Sequence, residues 1–330
     1  MASVFRILSA DEWQRAQGDG VFRGAAHDQR DGFIHCSSAV QVAGTLRAHY
    51  AGVRDLLLLF VDASALPVRW EPSREGELFP HVYGELPVSA VQRVESLPLG
   101  QDGLHQLPEL PRTVEFYFDY LSPYSYLASL QIREVCVNAR ATVIYRPILL
   151  PVLLDHWGQL GPAEVPPKAV HTFKECLRYA FARGIPFRAP RLHPFNPLLP
   201  LRATLAADNE TKRERVVTAL FNLGWVRGGD LSAESEVEQQ LTAAALPAAE
   251  LISRARAPEI KDRLRSETDL AIQRGVFGVP SMLVDGELFW GFSQLENLGL
   301  YLGGRDPLRG HDYRDYMPKG SGAKRSLVQR

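Results

Sequence analysis

The sequence predicts two domains, a small α+β unit and then an α/β unit whose β-α-β start and β-β-α end are separated by a long helical insertion. Three observations predict this. The chain has 330 residues, enough for about two domains of ~150 residues. The stretch PLGQDGLHQLPELP at residues 98–111 is punctuated by proline and glycine and has no period that a helix or strand can use. Beyond it, alternating β-branched and aromatic residues run into a helix-opening Ser-Pro, and a strand-turn-strand signal recurs near the C-terminus. The expected division is therefore 1–97, a linker over 98–111, a domain over 112–304 with its insertion at about 152–275, and a basic, flexible tail over 305–330.

Composition narrows the classes of function. The 37 basic and 38 acidic residues nearly cancel, with 45% hydrophobic and 23% charged, which excludes a whole-chain field suited to nucleic acid or an anionic membrane. The longest apolar run, Leu56 to Val61, has six residues, against roughly 20 for a membrane span. The first twelve residues lack the basic stretch and apolar core of a signal peptide, so a cytoplasmic location is expected. Cys36, Cys136 and Cys176 are odd in number and far apart; neither a disulfide framework nor a zinc knuckle is expected, and no metal site.

In the second domain, Thr113 to Phe118 reads as a strand. Ser122 is placed to cap the next helix, with Pro123 at its first position, where the missing N–H costs nothing. That helix is expected to run to about Asn138. Thr142 to Ile148 is a second strand, and the crossover between the two implies parallel pairing. From Pro166 to Gly275 the pattern is helical in pieces broken by prolines and glycines. Ser281 to Val284, an Asp285-Gly286 turn of the favoured type I′ composition and Glu287 to Gly291 make a hairpin, and a last helix covers about Gln294 to Leu302. This order describes a thioredoxin-like core with an inserted helical domain.

The residues FYFDYLSPYSYLA (116–128), EVPPK followed by FKECLRYA, and GVFGVPSMLVDGELFWG (275–291) resemble the 2-hydroxychromene-2-carboxylate isomerases and their relatives, the kappa-class glutathione transferases, within the DsbA-like thioredoxin fold. The resemblance covers about Arg112 to Gly304 in colinear order. A redox thioredoxin carries C-x-x-C at the strand-to-helix turn; here the turn reads Ser122-Pro123-Tyr124-Ser125, which excludes dithiol exchange there but suits a thiolate supplied by a ligand. Lowering an ordinary thiol from a pKa of ~8.5 to ~7 costs about 2 kcal/mol, within reach of one hydroxyl hydrogen bond and a helix dipole.

The resemblance implies glutathione as cofactor, Ser122 as the thiolate stabiliser and a glutathione-dependent isomerisation of a small aromatic substrate, or a kappa-like transfer. It places Val279-Pro280 in the loop that pairs with the peptide-like backbone of glutathione, Lys168 against a glutathione carboxylate, and Asn196 and Gln159 as further contacts. Gln159 stands where the family has asparagine. The family's Gly-Asn-Asp-Arg reads Gly291-Phe292-Ser293-Gln294, so Ser293 replaces the acid that holds the γ-glutamyl amine. Tyr120, Tyr124 and Trp290 are candidates for an aromatic substrate wall, alongside Tyr117 and Phe195. Each of these residues also has an ordinary reading, as cap, turn former, solvated lysine or core aromatic. A homodimer is compatible with this family; nucleic acid and membrane partners are not expected. A non-catalytic binding module, with the first domain as the active partner, is the competing reading.

The first domain contains DGFIHCSS (31–38), RWE (69–71) and FPHVYGELP (79–87). It resembles the domain of unknown function family 952, which implies a small α+β fold of the ADP-ribosyltransferase type. His35, Glu71, His81 and Tyr83 are polar residues beside buried-looking strands and form its candidate site; two histidines offer acid/base chemistry near neutral pH. The alternative is that both histidines are satisfied within the core.

Overall fold

A computed structural model describes residues 3–39, 41–63, 66–73, 78–110, 112–308, 311 and 313–319. Of the basic tail expected over 305–330, residues 309, 310, 312 and 320–330 lie outside the described residues. The first domain begins with β1 (Ser3–Ser9), which runs into α1 (Ala10–Asp19). Ser9 and Glu12 cap that helix reciprocally: the Ser9 hydroxyl accepts from Glu12 N at 3.2 Å and the Glu12 carboxylate accepts from Ser9 N at 2.9 Å. There follow β2 (Val21–Phe22), α2 (Ala26–Asp31), β3 (Ile34–His35), α3 (Gln41–His49), β4 (Leu56–Asp62), β5 (Val68–Pro72), β6 (Leu78–Val82), β7 (Leu86–Pro87) and β8 (Val91–Leu97). They form antiparallel sheets in the orders β1-β4-β8, β3-β6-β5 and β2-β7. Side chains alternate across β4, so Leu59 and Val61 join one core with Trp13 and Val82, while Leu58 and Phe60 join another with Val42 and Leu46. Both faces being covered explains the unbroken apolar run that defines this strand.

The stretch expected as a free linker is folded onto this domain. Leu99 bridges His105, Gly100 N donates to Leu104 O at 2.7 Å, His105 Nε2 donates to the Val53 carbonyl at 2.8 Å, and Leu110 packs on the cluster of Phe5 and Leu46.

The second domain opens with β9 (Arg112–Phe118), α4 (Pro123–Ser129), α5 (Ile132–Asn138) and β10 (Ala141–Pro147). The insertion comprises α6 (Leu150–Trp157), α7 (Pro166–Ala182), α8 (Leu198–Leu205), α9 (Glu210–Trp225), α10 (Glu234–Ala243), α11 (Ala248–Ala255) and α12 (Pro258–Gln273); β11 (Ser281–Val284), β12 (Glu287–Trp290) and α13 (Leu295–Leu302) close the domain. The sheet order is β10-β9-β11-β12, with β10 parallel to β9 and β11 antiparallel to both neighbours. Asp285 and Gly286 have φ of 55° and 82°, the two positive values that a type I′ turn requires.

Two expectations for this domain change. The helix from Pro123 is split after Ser129, whose hydroxyl donates to the Tyr126 carbonyl at 2.7 Å while Gln131 N bonds back only to Ala128 O; such local bonds compete with the helical ladder. Tyr120 lies in the core, since it continues the β9 face of Phe116 and Phe118: it is fully buried, its ring 5.4 Å from Phe118 and its hydroxyl 2.7 Å from Thr204 Oγ1. Tyr117 is equally buried on the opposite face, and Phe195 also joins the core.

Candidate active site of the second domain

The site begins where β9 ends. Asp119 is fully buried, and its two carboxylate oxygens accept from Leu121 N at 3.0 Å and Leu150 N at 2.9 Å, while its backbone carbonyl accepts from Ser122 N at 3.1 Å. The β9–α4 turn is thereby tied to the start of α6. Burial pushes the Asp119 carboxyl up to about 7, against the pull of those N–H donors. Its sequence signal is an acid inside the aromatic run FYFDYL.

Ser122 caps α4: its hydroxyl oxygen accepts from Ser125 N at 3.1 Å. The same hydroxyl donates to the Val279 carbonyl at 3.5 Å, the long end of hydrogen-bond range. The turn and the distal loop, more than 150 residues apart in sequence, therefore meet at one point. Val279-Pro280 is a cis peptide, and the Val279 N–H donates to no described residue. With α4 only seven residues long, the polarity at Ser122 comes from its hydroxyl and adjoining backbone donors.

The surroundings come from four other segments. Tyr124 stacks on Phe292 at 5.3 Å and its hydroxyl donates to Glu175 of α7. Burial and that carboxylate both push the tyrosine's pKa upward, so it stays a neutral donor. Phe292 begins the short turn that carries the exposed Ser293. Trp290, 52% exposed, covers Gly278, where a Cβ would lie 2.6 Å from its Nε1. Trp157 Nε1 donates to Val276 O at 2.9 Å, bringing the end of α6, and Gln159 two residues beyond, to the same loop. His193, missed in the sequence, donates Nε2–H to the Leu121 carbonyl at 2.8 Å.

Two further candidates lie on the helical insertion, at the start of α7 and just before α8. Lys168 is exposed at the start of α7, and the seven residues to Glu175 place it about 10 Å along that helix. Asn196 accepts from Leu198 N at 3.0 Å through its side chain, as a turn former at the start of α8. All three cysteines are buried, and burial pushes each thiol up to about 12.

In the first domain, the four candidates are brought together. His81 Nδ1 lies 2.9 Å from Glu71, the Tyr83 hydroxyl donates to the same carboxylate, and the His35 and His81 ring centres are 5.3 Å apart. Their partners were not anticipated: Asp28 meets His35 Nδ1 at 2.8 Å and Arg6 at 2.6 Å, and Phe33 stacks on His81 at 4.0 Å. Burial raises the Asp28 carboxyl, but the His35 hydrogen bond and the Arg6 charge hold it below the usual range.

A thioredoxin core with a serine cap facing a proline loop defines a DsbA-like protein, and residues 113–303 match the family model described as the DSBA-like thioredoxin domain; the chain belongs to that family. Its relatives there are isomerases and glutathione transferases. The 2-hydroxychromene-2-carboxylate isomerase of Sphingobium xenophagum is 32% identical over 195 residues, covering 58% of this chain and 99% of the relative. Glutathione S-transferase kappa 2 of Caenorhabditis elegans is 28% identical over 185 residues, covering 53% and 82%. A solved structure of 2-hydroxychromene-2-carboxylate isomerase superposes with a TM-score of 0.55 at 26% identity, covering 58% of this chain and 95% of that one. Residues 7–94 match a family described as a protein of unknown function, DUF952. Among the described residues no helix is long and apolar enough to cross a membrane.

Proposed function

We propose that residues 112–304 form a glutathione-dependent isomerase acting on a small aromatic substrate, with kappa-like glutathione transfer as the nearest alternative. The observation that carries this reading is the meeting of the Ser122 hydroxyl with the backbone of Val279. Glutathione suits the residues present: a peptide-like backbone finds the undonated Val279 N–H, and a thiolate finds a hydroxyl held only by a long bond. When bound, glutathione supplies the nucleophilic sulfur that this chain's inaccessible cysteines do not.

The protein's own part is positional and electrostatic. Ser122 turns its O–H from the Val279 carbonyl toward the sulfur and stabilises it as the anion. Val279 holds the ligand backbone through its N–H, with Pro280 fixing the loop, while Lys168 and Gln159 meet its polar ends. Tyr124 and Trp290 flank the aromatic substrate. Dithiol exchange is not proposed, because a serine occupies the turn and Cys136 and Cys176 are buried. The uncharged Ser293 and Gln294 lower the affinity expected for the γ-glutamyl end, since a lost charged contact costs about 1.5–3 kcal/mol.

Calorimetry with glutathione on the full chain and on Ser122→Ala tests this reading. Binding to the native protein with clear weakening in the variant is expected; no binding to either removes the cofactor. Ser293→Asp with Gln294→Arg is expected to tighten binding about tenfold. A native protein that ignores glutathione but retains another small acid favours the binding-module reading.

A further inference from the structure

We propose that Asp119 and Trp157 are positioning residues, which use α6 as a strut to set the Ser122 turn against the loop at 276–279. The consequence for a ligand rests on the function proposed above; the strut itself stands on bonds within the chain.

The sheet leaves this spacing open. The β9–β11 ladder reaches Tyr117 opposite Ser281 and ends there. Ser122 and Val279 lie beyond that last pair, where the two chains leave the sheet in a turn and a loop. The bond that joins them directly is the 3.5 Å contact from the Ser122 hydroxyl to the Val279 carbonyl, at the weak end of the range. It is also the bond given up when that hydroxyl turns to a ligand sulfur.

α6 is fastened at both ends. Its N-cap, Leu149, has no side chain that can cap, and the acceptors come from other elements: Leu149 N donates to Thr268 Oγ1 at 3.1 Å and Leu150 N to Asp119 at 2.9 Å. The other carboxylate oxygen of Asp119 holds Leu121 N at 3.0 Å, and its backbone carbonyl holds Ser122 N at 3.1 Å. One fully buried residue thus joins the first turn of α6 to the serine turn. At the other end, Trp157 closes the helix and its indole N–H donates to Val276 O at 2.9 Å. Between the ends, Leu153 packs in one cluster with Val276 and Val279. The seven steps from Leu150 to Trp157 span about 10 Å of helix.

These bonds close a ring. Ser122 is tied to Asp119, Asp119 to the start of α6, the end of α6 to Val276, and the loop returns to Ser122 through Val279. A ring has a property that separate contacts lack: opening it at either end releases the same freedom. Loss of the Trp157 bond is therefore felt across the helix at Leu121 and Ser122, and a second break at Asp119 adds little to the first.

The test uses the full chain and Trp157→Phe, which keeps an aromatic ring at a position 43% exposed and removes the N–H. Amide hydrogen exchange followed by NMR at pH 7, with no ligand added, is expected to quicken about tenfold at Leu121 and Ser122. Phe5 N, bonded to Ser37 O in the first domain, serves as the unchanged reference. Glutathione is then titrated by calorimetry in phosphate and in Tris, which gives both the affinity and the protons released as the thiol ionises. Trp157→Phe is expected to bind about fivefold more weakly and to release fewer protons, a change that lost stability alone does not produce. Adding Asp119→Asn is expected to weaken binding by no more than about twofold again, whereas independent contacts would multiply their losses. Unchanged exchange at Leu121 and Ser122 overturns the strut whatever glutathione does, and this arm stands even where the Asp119 variant fails to fold. Quickened exchange with glutathione affinity and proton release both unaltered overturns the positioning role. A native chain that ignores glutathione removes the function proposed above, and the exchange alone then decides the strut.

Discussion

His193 donates its Nε2–H to the carbonyl of Leu121, 2.8 Å away and one residue before Ser122. An irregular proline-rich stretch of the helical insertion is thereby fastened to the turn that carries the candidate serine. The His193 ring also packs 5.6 Å from both Phe173 and Trp225. His193→Phe keeps the packing and leaves a nearly buried carbonyl unpaired, so a loss of about 1–3 kcal/mol is expected. Urea unfolding of the two proteins measures it, and an unchanged midpoint means the bond contributes nothing.

Asp119 gives the second domain a pH dependence of definite sign. The unfolded carboxyl ionises near 3.8 and the folded one at about 7. Between those values the native state keeps a proton that the unfolded state has released, so stability falls as pH rises through the window and levels off above it. Asp119→Asn should lack this slope. It should also be less stable at pH 4, by about 1–3 kcal/mol, because its Nδ2 faces one backbone N–H with another donor. Parallel slopes for the two proteins would sink the idea.

Gly278 and Trp290 are coupled by contact. A methyl group at Gly278 meets the indole 2.6 Å away, and because Trp290 is half exposed the ring can swing aside. Gly278→Ala is expected to alter tryptophan fluorescence at a stability cost of about 1 kcal/mol or less. In a Trp290→Ala background the same change should cost nothing; equal costs in both backgrounds would show that the two do not interact.

The segment 98–110 sets the boundary at which the first domain can be cut. A fragment ending at residue 110 keeps the His105–Val53 bond and the Leu110 contacts. One ending at 97 loses them, and is expected to be less stable by about 1 kcal/mol or more. Chemical unfolding of both fragments compares them directly.

The frame of the second domain was legible wherever local chemistry and fold agreed. Asp285-Gly286 can hardly be anything but a tight hairpin turn, and Ser122-Pro123 opens a helix wherever it stands. The break after Ser129 was not legible, because Leu130 and Gln131 are good helix formers and the competing bond runs from a serine that a helix also tolerates. Tyr120 shows the limit for single side chains: its type suits a substrate wall, but its place two residues beyond Phe118 on the same face commits it to the core. In the first domain the histidines stood out, whereas Asp28 and Arg6 did not, since they reach the cluster from α2 and β1; Phe33, two residues before His35, reads from sequence as an ordinary core aromatic.

The inaccessibility of Cys36, Cys136 and Cys176 makes the folded chain its own blank for sulfur. With all three thiols buried and burial pushing each up to about 12, the native protein is expected to give no signal at pH 8 with alkylating reagents or in thiolate ultraviolet absorption. Any such signal that appears on adding a thiol ligand, beyond that of the ligand free in buffer, reports the bound sulfur alone. The ionisation of a cofactor in the site can therefore be followed in the unmodified protein, with no cysteine to remove first.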